Sequence, residues 1–439
     1  MNAETQVSQA VKRRAPQRRG RLFVATIGAQ SIENYDFLIY GTAASIALNS
    51  QFFPSVDPVV GVLATFATFA VGFAGRPIGA AIFGHIGDRF GRKPGLLLAI
   101  LLMGVSTMLI GLLPNYQTIG VAAPVMLVIL RVLQGVSLGG QSTGATLLSL
   151  ENAPPTRRGL FGALPQLGVF VGMASGTLVF LLIGNLTTHE QFIAWGWRIP
   201  FLLSVLMFPV AYIVHRFIDD APEFQKAESN VAMQPRRPSS VVQVLRNPKQ
   251  VLLVVFAFLP PTIMFYVIVA GLLQYGVQNQ HIDQNVMLIA VMLSMVAFSV
   301  STVFFGWLSD RIGRRGIYAA GVALSGLWAF ALFPLMDTRN FGLILLAAGV
   351  GQISVGAMFG PGNAMWAEMF PPSMRYSGSS IGTQLANVLG GGLAPFIMVA
   401  LIAGTHTTVS VAIYMAVAAV VSLVAVAMIR LPRTTTATD

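Results

Sequence analysis

Long apolar stretches alternate with short polar turns along almost the whole chain. Twelve of these stretches are long enough to cross the hydrocarbon core of a bilayer, which takes about 20 helical residues. Because lipid cannot hydrogen-bond exposed backbone groups, each stretch is predicted to be a helix. The pattern predicts an all-α membrane protein with twelve transmembrane helices. We place them at 22–48, 58–83, 95–113, 121–150, 160–184, 197–217, 251–277, 285–308, 316–336, 341–370, 376–402 and 407–429.

A polar motif occurs once in each half of the chain, each time between two apolar stretches. It reads GHIGDRFGRK at 84–93 and GWLSDRIGRR at 306–315. Repeats of this kind build one large class of secondary transporters. The repeat therefore predicts two pseudo-symmetric six-helix bundles and indicates transport as the function.

The longest polar connection, at 218–250, is charged, contains proline, and separates the sixth stretch from the seventh. It divides the chain into regions that we define as follows. They are a basic cytoplasmic tail at 1–21, a first bundle at 22–217, a cytoplasmic linker at 218–250, a second bundle at 251–430 and a cytoplasmic tail at 431–439.

Composition and charge agree with a membrane protein. The chain is 55% hydrophobic and 10% charged, whereas soluble chains carry about 25% charged residues. If the N-terminus is cytoplasmic, almost all of the 27 lysines and arginines fall on the cytoplasmic face. By the positive-inside rule, the net charge of +11 then reports topology and not nucleic-acid binding. We expect a bacterial inner-membrane protein with both termini in the cytoplasm.

Several functional classes lack their sequence signatures here. The chain has no Walker sequence, no HExxH or GxSxG motif and no cysteine. We therefore expect neither an enzyme nor an ATP-driven pump, and no cofactor or metal. The expected driving force is a proton gradient, and the expected partners are a small organic anion, protons and the lipid bilayer, with the protein acting as a monomer.

Two acidic residues lie inside an apolar stretch. Glu33 and Asp36 are the exceptions among the 16 acidic residues, which otherwise fall in tails, turns or helix ends. A carboxylate near the middle of the bilayer usually marks an ion or substrate path. At i and i+3, with Tyr40 one turn further, they are predicted to share a helical face and to carry proton coupling. The alternative is that one of them pairs with a buried arginine only to hold helices together.

Arginines inside the stretches are candidate anion ligands. Arg131 forms a polar stripe with Gln134 and Gln141, and Arg76 lies in the second stretch. A guanidinium can hold a carboxylate with two parallel hydrogen bonds. The alternative for Arg76 is a side chain that reaches toward the interface. The predicted substrate site contains Arg76, Arg131, Tyr40, Gln134, Gln141 and Gln166.

The repeated motifs are candidate gates. Asp88 and Asp310 follow the second and eighth stretches, where each can accept hydrogen bonds from the N-terminus of a neighbouring helix. Such contacts would close the cytoplasmic side. A second repeated pattern joins an acid to an arginine six or seven positions later, and the alternative for both patterns is solvated loop charge. The predicted gating set is Asp88, Arg89, Arg92, Glu151, Arg157, Asp310, Arg311, Arg314, Glu368 and Arg375.

Several of these segments resemble a known family. ENYDFLIYGTAA, GFAGRPIGAAIFGHIGDRFGRK, LRVLQGVSLGGQSTGA and AEMFPPSMR are similar to motifs of the metabolite:proton symporter family of the major facilitator superfamily. The resemblance spans roughly 22–430. It implies the major facilitator fold and proton-coupled uptake by alternating access, with the acids of the first helix and Arg76 along the path. The family usually has Glu where this chain has Gln141, so one ionisable group is missing.

We interpret the chain as a proton-coupled symporter that imports a small mono-, di- or tricarboxylate. The arginines favour an anion. Uptake of a zwitterion such as proline or betaine remains the main alternative. A membrane receptor that does not transport and a drug-efflux antiporter are further alternatives.

Overall fold

The computed structural model describes residues 27–28, 30–90, 92–151, 153–206, 208–209, 248–370 and 375–429. The first half forms α1 (30–46, continued as Leu48–Phe52), α2 (Pro58–Phe90), α3 (Arg92–Leu112), α4 (Ala122–Glu151), α5 (Arg158–Leu186) and α6 (Gly196–Leu206). The second half forms α7 (Pro248–Asn279), α8 (Gln284–Ile312), α9 (Arg314–Asp337), α10 (Phe341–Met369), α11 (Arg375–Ala386, continued to Thr405) and α12 (Val409–Met428).

These helices follow the order of the twelve predicted stretches. Among the described residues, nine helices are long and apolar enough to cross a membrane, and Leu98–Leu112 and Gly196–Leu206 are shorter apolar helices. Large apolar side chains such as Leu186 and Leu327 point outward, as expected for a surface that faces lipid. The prediction of an all-α membrane protein is confirmed. The predicted tails at 1–21 and 431–439, and nearly all of the linker at 218–250, lie outside the described residues.

The contacts between the halves follow the sequence repeat. Helix α5 packs on α8, and α2 packs on α11. The two contacts are equivalent, because α11 is the counterpart of α5 in the second half and α8 is the counterpart of α2. Within the first half, α2 and α4 cross at backbone contact, because a Cβ on Gly135 would overlap the carbonyl of Gly72. Small residues are what allow helices to approach so closely in a membrane.

Helix ends differ from the sequence prediction at both repeated motifs. Helix α2 runs to Phe90 and α8 runs to Ile312, so Asp88 and Asp310 lie in the last helical turn and not after it. Helix α8 stops at Gly313, whose φ of 97° favours glycine. We refer below to the end of the bundle that holds these two turns as the motif end.

Two helices of the second half change their winding near the centre of the bundle. Helix α7 contains Pro260 and Pro261 and then a π-helical turn at Val267–Gly271. Helix α11 contains a π-helical turn at Asn387–Gly392. Proline removes a backbone donor, and π turns within α-helices often occur at functional sites. Both helices line the cavity described next.

Candidate functional site

A cavity of about 160 Å³ lies between the two halves. We call it the central cavity. Helices α1, α2, α4 and α5 line it from the first half, and α7, α8, α10 and α11 line it from the second. Among the described residues that line it, only Glu33 and Arg76 carry charge, and both belong to the first half. The two halves therefore contribute different chemistry to one site.

Arg76 reaches this cavity, and its buried Nε has no hydrogen-bond partner among the described residues. Its side chain is 5% exposed, and its guanidinium carbon lies 4.5 Å from the Phe73 ring centre and 5.2 Å from that of Phe37. Tyr266 closes the aromatic group, with ring centres 5.3 Å and 5.1 Å from Phe73 and Phe37. Within the described part of the chain, Arg76 has no hydrogen-bond or ion-pair partner. An anion placed here would meet a cation in surroundings of low polarity, where their attraction is stronger than in water.

Glu33 reaches the same cavity from α1. It lies one helical turn before Phe37, so both side chains face Arg76. The neighbouring lining residues on this side are neutral amides from α1 and α5, including Asn34 and Gln166. The Asn34 side chain donates to the backbone carbonyl of Gln30 at 2.8 Å, which fixes one of these amides.

The second half supplies a polar row and an aromatic wall. The polar row lies on one face of α11, at positions separated by one helical turn, and the wall comes from α7, α8 and α10. The row contains Ser379, Ser380, Thr383, Gln384 and Asn387, and the wall contains Phe258, Phe265, Tyr266, Phe298, Phe359 and Trp366. A ligand held by Arg76 would therefore place its far side against neutral donors and acceptors of the opposite half.

A second polar cluster is buried outside the central cavity. The side-chain amide of Gln134 donates to the two oxygens of Asp36 at 3.1 and 3.2 Å. Its carbonyl oxygen accepts a hydrogen bond of 2.8 Å from Arg131. Asp36 and Gln134 are fully buried, and Arg131 is 2% exposed. Gln134 therefore stands between an acid and a base that belong to different helices.

Neighbouring residues complete this buried cluster. The Thr107 hydroxyl of α3 donates to Asp36. The guanidinium carbon of Arg131 lies 3.7 Å from the centre of the Tyr40 ring, and the Tyr40 and Thr68 hydroxyls share a hydrogen bond. Gly72 makes room for the guanidinium, since a Cβ there would lie 2.8 Å from one of its nitrogens. The cluster thus joins four helices of the first half.

The residues predicted to carry proton coupling and to bind substrate fall into these two groups. Glu33, Arg76 and Gln166 line the central cavity, whereas Asp36, Tyr40, Arg131 and Gln134 do not. The side chain of Gln141 lies outside the described residues. Glu33 and Asp36 were predicted to share one face of α1, but three residues turn a helix by about 300°, which leaves them about 60° apart. Because α3 and α4 pack against the Asp36 side of α1, Asp36 is buried between helices while Glu33 lines the cavity.

At the motif end, Asp310 joins the two halves. Its carboxylate accepts from the backbone nitrogens of Gly159 at 2.7 Å and Leu160 at 3.0 Å, in the first turn of α5. Arg314 lies 3.5 Å from Asp310 and also forms an ion pair with Glu368 of α10. Asn363 of α10 adds a hydrogen bond of 3.0 Å to the carbonyl of Gly162. We call this group the motif-end closure.

The structure describes the side chains of only some of the other predicted gating residues. Arg157 and Arg311 are exposed, and Arg311 lies over the Trp307 ring at 4.1 Å. The side chains of Asp88, Arg89, Arg92, Glu151 and Arg375 lie outside the described residues.

The halves also meet at the opposite end of the bundle. The Ser45 hydroxyl of α1 donates to the Ala270 carbonyl of α7 at 3.1 Å. The Gln278 side chain donates to the Ser45 carbonyl at 2.9 Å. The central cavity thus lies between two sets of contacts that each join α-helices of different halves.

The sequence argument did not identify several residues of the site. Phe37 and Phe73 occur one helical turn from Glu33 and Arg76, so helical spacing from the charged residues would have found them. The row on α11 is visible as polar residues at helical spacing inside the stretch at 376–402. Helical spacing could not have identified Tyr266 and Thr107, because they lie on helices that are distant in sequence from the charged residues they approach.

Comparison with known proteins agrees with this fold. Residues 22–237 match the family described as "Sugar (and other) transporter", and residues 262–439 match "Major Facilitator Superfamily". The chain is 38% identical over 409 residues to a shikimate transporter of Escherichia coli, covering 92% of this chain and 93% of that protein. It is 37% identical over 412 residues to the E. coli inner membrane metabolite transport protein YhjE, covering 93% of each.

Among solved structures, the fold is similar to the partially occluded inward-open xylose transporter XylE of E. coli. The TM-score is 0.71 at 18% identity, covering 95% of this chain and 99% of that one. At this identity the likeness concerns the fold. The relatives confirm the resemblance found in the sequence: the chain belongs to the major facilitator superfamily, among its transporters of metabolites, and is not an enzyme.

Proposed function

We propose that the protein is a proton-coupled symporter that imports a small organic anion by alternating access. The observation that carries this proposal is the guanidinium of Arg76, which faces the central cavity without a hydrogen-bond or ion-pair partner among the described residues. A carboxylate would supply the two acceptors that the guanidinium fork lacks. The E. coli relative named for shikimate, which is a carboxylate, supports this substrate class.

Asp36 is the residue that we assign to proton coupling. Its carboxylate accepts hydrogen bonds from two neutral side chains, those of Gln134 and Thr107, and not directly from Arg131. Protonation of Asp36 would turn an acceptor into a donor and would change the partners available to Gln134. Because Gln134 also binds Arg131, a proton on α1 would alter how α1 and α4 are held together. Each net positive charge moved inward, counting proton and substrate together, gains about 2.3 kcal/mol per 100 mV.

Alternating access requires the contacts at the two ends to break in turn. The motif-end closure joins α5 to α8 and α10, and the contacts of Ser45 join α1 to α7. Each set is a small number of hydrogen bonds, so separation of either end leaves the helices themselves intact. We place the protein in a bacterial inner membrane as a monomer, with the motif end and both termini in the cytoplasm and without a cofactor.

A zwitterion is the second candidate substrate. Glu33 and Arg76 present opposite charges in one cavity, and aromatic rings beside them are suited to a cationic ammonium group. Proline or betaine would then bind with the carboxylate at Arg76 and the nitrogen at Glu33.

Uptake into proteoliposomes tests both candidates. Labelled shikimate, α-ketoglutarate, citrate, proline and betaine are offered with and without an inward proton gradient. The proposal expects a carboxylate to accumulate only with the gradient, and expects Arg76→Ala to lose that uptake. Accumulation of betaine or proline alone would favour the second candidate. Accumulation of a carboxylate to the same level without a gradient would contradict proton coupling.

A further inference from the structure

Of the two described side chains that hydrogen-bond to Asp36, Thr107 of α3 is the one that carries a hydroxyl. Thr107 is fully buried, and its oxygen lies within hydrogen-bond distance of three groups. These are the Asp36 carboxylate, the Met103 backbone carbonyl at 2.9 Å and the side-chain nitrogen of Gln134 at 2.8 Å. A hydroxyl has one hydrogen and two lone pairs. Since the nitrogen of Gln134 can only donate, the hydrogen of Thr107 can point to either of two acceptors, Asp36 or Met103.

Gln134 cannot accept a hydrogen bond from Asp36 in this arrangement. Arg131 carries only donors, so the carbonyl oxygen of Gln134 has to face Arg131, from which it accepts at 2.8 Å. The side-chain nitrogen of Gln134 therefore faces Asp36 and offers it N–H groups alone. Arg76 acts on Asp36 through its charge, but it too has only donors. A protonated Asp36 must donate its own hydrogen, and among these side chains Thr107 is the one that can accept it.

We propose that Thr107 is a positioning residue for proton coupling, whose hydroxyl reverses its hydrogen bond when Asp36 gains or loses a proton. While Asp36 is ionised, the hydroxyl donates to the carboxylate. When a proton supplied by the gradient binds to a carboxylate oxygen, the hydroxyl turns its hydrogen to the Met103 carbonyl. A lone pair of Thr107 then faces Asp36 and accepts the new O–H. The O–H bond of Asp36 is the one covalent bond that forms, and none breaks in Thr107.

The reversal keeps both forms of Asp36 hydrogen-bonded to α3. Asp36 and Thr107 are fully buried, and a polar group buried without a partner is destabilising. Once one oxygen of Asp36 is protonated, Gln134 has one carboxyl oxygen to donate to instead of two. A proton would therefore loosen α1 from α4 while Thr107 keeps it attached to α3. This inference rests on the proposed function, which assigns coupling to Asp36.

Infrared difference spectroscopy of the purified protein, between acidic and neutral pH, tests the reversal without a substrate. The C=O stretch of a protonated carboxyl group rises in frequency when its O–H loses a hydrogen-bond acceptor. A carboxyl band that disappears in Asp36→Asn belongs to Asp36. We expect this band to move to higher frequency in Thr107→Val, which has the same shape without the hydroxyl, and to stay in place in Thr107→Ser. An unshifted band in Thr107→Val overturns the proposal, and so does the absence of any band that Asp36→Asn removes.

Transport assays separate the proton step from the conformational change. The substrate is the compound of the transport panel that accumulates with the proton gradient. Gradient-driven uptake requires Asp36 to be protonated and deprotonated in every cycle, and in Thr107→Val each form lacks a partner. We expect its initial rate to fall by about 10-fold or more, which corresponds to one hydrogen bond to a charged group. Exchange of labelled for unlabelled substrate should stay close to the wild-type rate, and Thr107→Ser should restore gradient-driven uptake.

Ser106→Ala is the matched control. Ser106 precedes Thr107 on α3 and is also buried, but its hydroxyl donates to the Leu102 carbonyl of its own helix at 2.7 Å. It should match the wild type in both assays. Wild-type uptake by Thr107→Val overturns the proposal, and an equal loss of uptake and exchange does so by showing a structural role.

If Thr107→Val does not fold, Thr107→Ala removes the same hydroxyl and is measured in its place. If no compound of the panel accumulates with the gradient, the proposed function itself fails. The infrared band then still decides whether Thr107 binds the protonated form of Asp36.

Discussion

The carboxylate of Asp310 on α8 lies 2.7 Å from the backbone nitrogen of Gly159, across the interface between the two halves. That N–H group is in the first turn of α5, where backbone donors have no partner inside the helix and the helix dipole is positive. A Cβ on Gly159 would lie 2.9 Å from the Asp310 carboxylate and 2.5 Å from the Gly306 carbonyl oxygen. The motif-end closure therefore depends both on a negative charge and on the absence of a side chain.

Removing the charge should weaken the closure while leaving the substrate site intact. In Asp310→Asn, the acceptor remains but its charge is lost, together with the ion pair to Arg314. Hydrogen bonds to a charged acceptor are about twice as strong as neutral ones. We expect a several-fold fall in transport rate with substrate affinity retained, and a shift toward the state that is open at the motif end.

The chain has no cysteine, so a single cysteine at Ala367 of the central cavity reports that shift through its labelling rate. Asp283→Asn is the control on the same helix. Asp283 caps the start of α8 by accepting from Asn285 and Val286, a task that Asn performs equally well. Identical labelling rates in the wild type and in both variants would show that Asp310 does not hold the halves together.

A methyl group at Gly159 should impair the same closure by a different route. Because the added Cβ would press on backbone atoms of α8, Gly159→Ala should hold α5 away from Gly306 and Asp310. Transport rate should fall at least as much as in Asp310→Asn, with faster labelling at Ala367→Cys. Gly349→Ala on α10 is the control, since nothing lies within 4 Å of the position of its Cβ. Normal transport by Gly159→Ala would mean that α5 and α8 need not approach this closely.

The sequence predicted the order of the helices, and it predicted that Asp310 would accept hydrogen bonds from the N-terminus of a neighbouring helix. It did not predict which helical faces line the cavity. Span positions follow from apolar length, and an acid beside a helix N-terminus follows from its dipole, so both are local properties. The separation of Glu33 from Asp36 is not local, because it depends on where Thr107 of α3 and Gln134 of α4 approach α1. Lipid-facing and interior faces of a helix are also alike in hydrophobicity, which removes the signal that would orient it.

The sequence also could not distinguish the roles of Arg76 and Arg131, because it does not show which way a helical face points. Both lie inside spans, and both were predicted to bind substrate. The structure gives Arg76 the cavity and places Arg131 in the buried cluster, under the Tyr40 ring and bound to Gln134. The sequence shows that each arginine needs a partner but does not show whether that partner is a ligand or another residue of the protein.

Substitutions at these arginines should therefore fail in different ways. Arg76→Ala should weaken carboxylate binding by roughly 100-fold or more, and Arg76→Lys by about 10-fold, because Lys keeps the charge but loses the planar fork. Arg131→Ala should instead lower thermal stability in detergent. It removes the hydrogen bond to Gln134 and the contact with the Tyr40 ring, and an unsatisfied buried polar group costs about 1–3 kcal/mol.

Binding and unfolding are measured on the same purified variants, so that the two defects can be compared directly. Arg339→Lys, an exposed arginine between α9 and α10, is the control and should change neither quantity. If Arg76→Ala kept wild-type affinity, the anion would have to be bound elsewhere, and the proposal for this site would be lost.

Neutralising Asp36 should separate coupling from transport. Asn keeps an oxygen that can accept from Gln134 and Thr107, so the buried cluster should survive, but the side chain can no longer gain or lose a proton. Asp36→Asn should therefore abolish uphill accumulation driven by a pH gradient. Exchange of labelled for unlabelled substrate should continue, because exchange moves no net proton. Glu33→Gln should show a milder loss of accumulation, since Glu33 lies in the cavity with the substrate.

Counterflow and gradient-driven uptake are measured in the same proteoliposomes. Asp57→Asn is the control, because Asp57 accepts from the backbone at the exposed start of α2, where Asn is an equivalent cap. It should behave as the wild type in both assays. Should Asp36→Asn still concentrate substrate against a gradient, the coupling proton must bind another group. A variant that loses exchange along with accumulation would instead show that Asp36 is needed for the conformational change itself.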